Sequence, residues 1–157
     1  MVKQDDFYKD LSRGKRGEKL MFDALTARGH TVEDLRDNAE ARSKDIDFRV
    51  FNKNSSTMTT LEVKTDERSE ETGNLFIEYS NTNNRSHNYK GWYYYCEAEY
   101  IAFIQEHNHK AHIVLMEELR ENIKKTGYRT ASSYNACGFL MPITKLETLG
   151  SYQCIAI

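Results

Sequence analysis

Two stretches decide how this chain is read: Asp45-Ile46-Asp47-Phe48-Arg49-Val50 and, after a short polar connection, Leu61-Glu62-Val63-Lys64. Side chains of an extended strand alternate between two sides, so Ile46, Phe48 and Val50 are expected to face a core while Asp45, Asp47 and Arg49 face away. Leu61 and Val63 stand in the same relation to Glu62 and Lys64. The connection from Asn52 to Ser56 is rich in Asn, Lys and Ser, which lets the two runs pair as a hairpin with Asp47 beside Glu62. Two carboxylates with a lysine next to them suit a divalent cation.

Elements on either side frame this hairpin. Leu20, Met21, Phe22 and Leu25 recur near helical spacing, and Gly29 follows Arg28, which predicts an amphipathic helix over Ser12 to Arg28 with Ser12 as its N-cap. His30 to Leu35 reads as a short strand, Arg36 to Lys44 as a polar stretch, and the hairpin strands as Ile46 to Phe51 and Met58 to Thr65. Thr65 to Asn74 reads as an exposed loop, Leu75 to Tyr79 as a strand, and Asn81 to Lys90, with four asparagines, as a flexible loop. Tyr100 to Gln105 and Ala111 to Met116 are strands around a turn at His107 to Lys110. Glu117 to Lys125, with early acids, late lysines and Gly127 behind, is a helix. Phe139 to Ile143 is the last clear strand, and Pro142, the single proline, suggests an edge.

The bulk properties bound the function. A chain of 157 residues suits one domain, here 1–157, with one core. Its 39% hydrophobic and 29% charged residues belong to a folding sequence. No run is long enough to span a membrane, and the N-terminal Met1-Val2-Lys3-Gln4-Asp5-Asp6 has no apolar stretch, so an intracellular, cytoplasmic protein is expected. Cys96, Cys137 and Cys154 are too dispersed for a disulfide framework or a zinc knuckle. A net charge of −2 excludes a globally basic coat protein but leaves local basic patches open.

The chemistry gathers around the hairpin. Glu18 on the first helix, an aspartate on the first strong strand and Glu-x-Lys on the next converge, and carboxylates are what a hard cation such as magnesium accepts, typically one or two of them, with water and substrate phosphate completing its shell. Such an ion polarises a phosphate and activates water. A lysine alongside positions the water and stabilises charge that develops on the phosphate.

This order of residues resembles the PD-(D/E)xK nuclease superfamily, over roughly Gly14 to Tyr79. Glu18 in Gly17-Glu18-Lys19 matches the helical acid, Glu62 and Lys64 match the signature pair, and Asp47 or Asp45 matches the motif aspartate; the usual Pro before that Asp is absent. Asp47 is the first choice, with Asp45 as a second ligand or the ligand itself. The string Thr72 to Tyr79 is similar to the segment downstream of the signature in small phage members, which would place Asn74 and Glu78 near the site. The resemblance implies an α/β fold with a mixed sheet of about four or five strands flanked by helices. It further implies Mg2+, or Mn2+ in its place, held by Asp47, Glu62, Asp45 and Glu18. The expected activity is a DNA endonuclease most like a small Holliday-junction resolvase or a related phage or repair nuclease. Branched or duplex DNA would be the partner, and cutting two strands would call for a homodimer.

Other features carry weaker expectations. Arg13, Lys15, Arg16 and Lys19 surround Glu18 and could grip phosphates, with Arg85 and Lys90 as a further grip; a solvated helix face is the bland reading. The run Tyr89, Trp92, Tyr93, Tyr94 and Tyr95 could stack on unpaired bases, although core packing is the commoner use of such residues. His107, His109 and His112 are read as exposed turn histidines rather than metal ligands. The rival function is a catalytically inactive module of the same fold that binds nucleic acid or a protein; a third reading is a nuclease acting on RNA or single strands.

Overall fold

A computed structural model describes residues 4–157, with side chains described from residue 8 onward. The helices are α1 (Gln4–Ala27), α2 (Ala39–Ser43), α3 (Arg68–Thr72), α4 (Trp92–Tyr95), α5 (Met116–Thr126) and α6 (Ile143–Leu146). The strands are β1 (Thr31–Asp34), β2 (Phe48–Asn52), β3 (Thr57–Thr65), β4 (Asn74–Asn81), β5 (Tyr100–Gln105), β6 (Lys110–Leu115), β7 (Thr130–Ser132), β8 (Ala136–Pro142) and β9 (Gln153–Ala156). They form a mixed six-stranded sheet in the order β1-β2-β3-β5-β6-β9 and a three-stranded antiparallel sheet in the order β4-β8-β7. The architecture is therefore α/β with a central mixed sheet flanked by helices. Its central sheet is one or two strands wider than the sequence suggested, because β1 and β9 are four-residue edge strands with little apolar periodicity.

The central sheet is buried on both faces, which explains the near-continuous apolar runs of β5 and β6. Ala102 and Ile104 of β5 join Phe48, Val50, Leu61 and Val63 under Met21 and Leu25 of α1. On the other face, Ile101 and Phe103 join Val114 and a larger cluster built from Leu75 and Ile77 of β4, Met141 of β8, Trp92 and Tyr93 of α4, and Leu119 and Ile123 of α5. Parallel pairing of β3 with β5 sets Glu62 opposite Ile101 and Lys64 opposite Phe103. Those two polar residues thus lie on the face that the second sheet covers.

Several local expectations change. The first helix begins by Gln4, so Ser12 lies inside it rather than capping it; residues 8–12, Tyr8 and Leu11 among them, are all exposed, so no buried stripe marks that part of the helix. Gly29 ends the helix as expected, with φ +85°. The polar stretch before the hairpin contains α2, capped by the Asn38 side chain on the Ala41 amide. The segment Thr65 to Asn74 is not a loop: Asp66 accepts hydrogen bonds from the Ser69 amide at 3.0 Å and from the Phe76 amide at 2.9 Å, which nucleates α3 and ties it to β4. Asn81 to Lys90 contains a 3-10 turn at Arg85–His87. Pro142 ends the middle strand of the smaller sheet rather than lying on an edge; it pairs with Asn74 beyond the reach of β7, where its missing N–H leaves no partner unsatisfied. No helix among the described residues is long and apolar enough to cross a membrane.

Candidate active site

The hairpin pairing is antiparallel with Phe48 opposite Leu61, so the next pair outward is Asp47 and Glu62. Asp47 donates its amide to the Leu61 carbonyl at 3.0 Å, and its carboxylate accepts from the Val63 amide at 2.9 Å. The side chain is therefore held beside Glu62, and the two carboxyl groups are within hydrogen-bonding reach of each other. Two residues on, the Lys64 ammonium lies 2.6 Å from Glu62 Oε1 and 3.0 Å from Asp45 Oδ2. It also faces the Trp92 ring, 5.9 Å from its centroid.

Asp45 reaches the site by a different route from the one alternation implied. Its φ of +55° puts it in the left-handed region, outside any strand, so it does not share a strand face with Asp47. The turn is pinned from α4: the Cys96 thiol donates to the Asp45 carbonyl at 3.3 Å, and the Glu97 amide to the Lys44 carbonyl at 2.8 Å. Burial holds that thiol protonated, its pKa raised to about 12.

Glu18 arrives from the opposite face of the sheet. Gly17 makes this possible, because a β-carbon there would sit 2.0 Å from Thr65 Oγ1, so only glycine lets α1 approach the end of β3. Arg36 Nη1 then holds Glu18 Oε2 at 3.0 Å, while the same guanidinium grips Asp34 through Nε at 2.9 Å and Nη2 at 2.6 Å and lies over the Phe48 ring. Asp34 drops below the usual carboxylate range through its hydrogen bond to Arg36.

The cluster is electrostatically overloaded with acid. Burial pushes the Asp47 carboxyl up to about 6 despite the Val63 amide, and the charge of Glu18 adds to the rise. Burial likewise drives Glu62 well above the ordinary range, against the pull of Lys64. Burial alone would lower the Lys64 ammonium, but Glu62 and Asp45 hold it well above the usual lysine value. One ammonium thus stays charged among carboxyls that burial discourages from ionising. Among the described residues no three of His, Cys, Asp and Glu are grouped tightly enough to hold a metal ion by themselves. The donor chemistry still fits a hard cation, because paired oxygens such as Asp47 and Glu62 suffice where water and phosphate supply the rest of the shell.

All these groups line one open cleft of about 1120 Å³: Glu18, Asp45, Asp47, Glu62 and Lys64 together with Arg13, Lys15 and Lys19. The other expected contacts scatter. Arg16 turns away to Glu106, at 3.0 Å, and does not line the cleft. Arg13 is engaged by Asp10 and Glu67, and Lys19 by Asp23, whereas Lys15 makes no ion pair among the described residues. Arg85 and Lys90 line neither this cleft nor the one beyond Lys64. Asn74 and Glu78 line that second cleft, and Glu78 is close enough to feel the charge of Lys64, although burial raises its pKa overall. Arg36 and Arg42 belong to the first cleft and have no counterpart among the residues singled out from sequence. Arg42 makes no ion pair among the described residues, and only its place just before the Asp45 turn could have drawn attention to it.

The aromatic run divides. Trp92 and Tyr93 are buried in the core, Tyr95 stacks on His87 at 3.8 Å, and Tyr89 and Tyr94 are exposed. Of the three histidines, His112 is buried rather than exposed in a turn; its ring meets Tyr152 Oη at 2.8 Å and Gln105 Oε1 at 3.0 Å. The three cysteines are free.

No protein-family model matches the chain, and no curated protein matches it. Among solved structures it is similar to a bacterial homing endonuclease, at 12% identity and a TM-score of 0.49, over 82% of this chain and 76% of that one.

Proposed function

We propose that the protein is a metal-dependent DNA endonuclease whose active site is the cleft between α1 and the β2-β3 hairpin. The observation that carries this reading is the meeting of Glu18, Asp45, Asp47, Glu62 and Lys64, drawn from α1, the segment leading into β2 and strand β3, in one solvent-open cleft. Asp47 and Glu62 would hold Mg2+, or Mn2+ in its place, with Glu18 and Asp45 adding negative charge nearby. The bound ion would supply Lewis acidity toward the scissile phosphate and a water more acidic than bulk. Lys64, fixed by two carboxylates, orients that water and stabilises charge on the phosphate oxygens. Lys15 and Arg42 at the rim are cations available to backbone phosphates. Branched DNA of the Holliday-junction type is the proposed substrate, cut by a homodimer that brings two such sites to two strands.

A cleavage panel with Mg2+ or Mn2+ on four-way junction, flap, duplex and single-stranded DNA tests this, run beside Lys64→Ala. The expected outcome is cleavage of the junction above the rest and its loss, by at least about a hundredfold, in the variant. Equal cleavage of every substrate would remove the junction preference, and activity surviving in the variant would remove the assigned site. One observation supports a rival, a binding module without catalysis: Lys64 already neutralises Glu62 at 2.6 Å, which closes one of the two ligands to a cation. Calorimetry separates them, because the rival predicts no uptake of Mg2+ or Mn2+ by the wild type and the same for Asp47→Ala.

A further inference from the structure

Lys64 stands in the wall between two clefts. The second, of about 690 Å³, shares Asp10, Arg13, Lys64 and Thr65 with the first and runs on between α3, β4 and the β7-β8 hairpin. Their linings differ in kind. The first is crowded with carboxylates, arginines and lysines. In the second, the charges are mostly satisfied within the protein: Arg13 by Asp10 and Glu67, and Asp66 by two backbone amides. What lines it besides are the half-buried ring of Phe76, the guanidinium groups of Arg68 and Arg129, the side-chain amide of Asn135, and Asn74, Ser132 and Ser133, whose side chains each make one bond within the protein, to Thr72, Cys137 and Ala136. Neither Asn135 through its side chain nor Arg129 through its guanidinium has a partner among the described residues.

We infer that this second cleft receives an unpaired nucleotide of the strand whose phosphate lies at Lys64. The inference rests on the nuclease reading and adds to it a reason for preferring branched over fully paired DNA. A base needs hydrogen-bonding partners for its edge and a flat apolar surface for its face, and the cleft offers both at a size in the range of ligand pockets. A phosphate-binding channel would instead carry unpaired cations along its length; here the lining cations without an ion pair among the described residues are two, the exposed Arg68 and Arg129. Gly138 keeps the Phe76 ring in place, since a β-carbon there would come within 2.7 Å of ring atoms. An already unpaired base enters without the cost of unstacking a duplex, so strand ends, bulges and branch points are selected.

The test compares binding of a duplex containing one unpaired 2-aminopurine nucleotide with that of the matching perfect duplex, without divalent cation so that no cleavage intervenes. The wild type is expected to bind the bulged duplex about tenfold more tightly, as one stacked base allows, with a change in 2-aminopurine emission. Phe76→Leu and Asn135→Ala are each expected to erase that preference and leave perfect-duplex affinity unchanged. Asn135→Ala keeps the test decisive if Phe76→Leu does not fold, as judged by thermal melting. An intact preference in Asn135→Ala, or an equal loss toward both duplexes, overturns the base pocket. Mg2+-dependent cleavage by a wild type that shows no bulge preference also overturns it while sparing the nuclease reading; absence of both binding and cleavage overturns both.

Discussion

Within strand β3, alternate residues are put to opposite uses. Leu61 and Val63 point at α1 and bury apolar surface, whereas Glu62 and Lys64 point at the second sheet and bury charge. Burying a Leu or Val side chain contributes about 1.5 to 3 kcal/mol, while taking a carboxylate out of water costs several kcal/mol unless a partner offsets it. The same strand is thus a stabilising element on one face and a strained one on the other. Residues placed at such a cost are where function is to be sought.

That contrast is disturbed most severely by Lys64→Ala. The change leaves Glu62, only 4% exposed, without its cation and is expected to cost about 3 to 5 kcal/mol at neutral pH, since an unpaired buried charge remains. Urea unfolding at pH 7.5 and again at pH 4 checks this, because protonation of Glu62 at the lower pH should recover most of the loss. Leu61→Ala on the opposite side is expected to cost about 2 to 5 kcal/mol at both pH values alike. A pH-dependent cost for Leu61→Ala would mean that the two faces are not independent.

The close approach of α1 to the end of β3 gives the two faces a common test. Gly17→Ala would drive a methyl into Thr65 Oγ1 and is expected to destabilise the fold by about 1 to 3 kcal/mol and to weaken divalent-cation binding by displacing Glu18. Thr65→Ala added to Gly17→Ala should return part of that loss, since it removes the clashing hydroxyl. Isothermal calorimetry with Mn2+ and thermal unfolding of both variants are the measurements. A double variant no better than the single would mean that α1 is set by contacts elsewhere.

The legible part of this site is the part encoded locally. The hairpin, with Asp47 opposite Glu62, comes from alternation and a polar turn of five residues, and the structure pairs the strands in that register. Alternation fails at Asp45, where a positive φ replaces the extended backbone, because the cause is distant: a thiol and an amide from residues 96 and 97 pin the turn. It fails differently at Glu62, whose alternation points it to solvent, because nothing near the hairpin announces that β4 and α4 cover that face. Arg36 escapes for the same reason, since its hold on Glu18 joins residues 18 apart in sequence that only the folded sheet brings together. Asp66 has the polarity of a loop residue, yet its two backbone acceptances organise α3 and β4.

Asp47→Asn has the smallest expected effect on stability, and its sign is the informative part. In the folded protein the Asp47 pKa is about 6, above the 3.8 of an ordinary aspartate, so the folded state holds the proton more tightly than the unfolded chain. Stability from this group is therefore fully present below pH 3.8 and is lost as pH rises through 6. Asparagine is neutral at every pH and keeps an oxygen for the Val63 amide, so the variant should match the wild type near pH 4 and exceed it by about 1 to 2 kcal/mol at pH 8. It should also lose cation binding, because one of two proposed ligands is gone, whereas wild-type affinity for Mn2+ should fall as pH drops through 6 and protons compete for the site. Chemical denaturation at the two pH values, with and without Mn2+, reads both effects. A variant that is destabilised at pH 8 would show that Asp47 contributes as a structural carboxylate and not as one held ready for a cation.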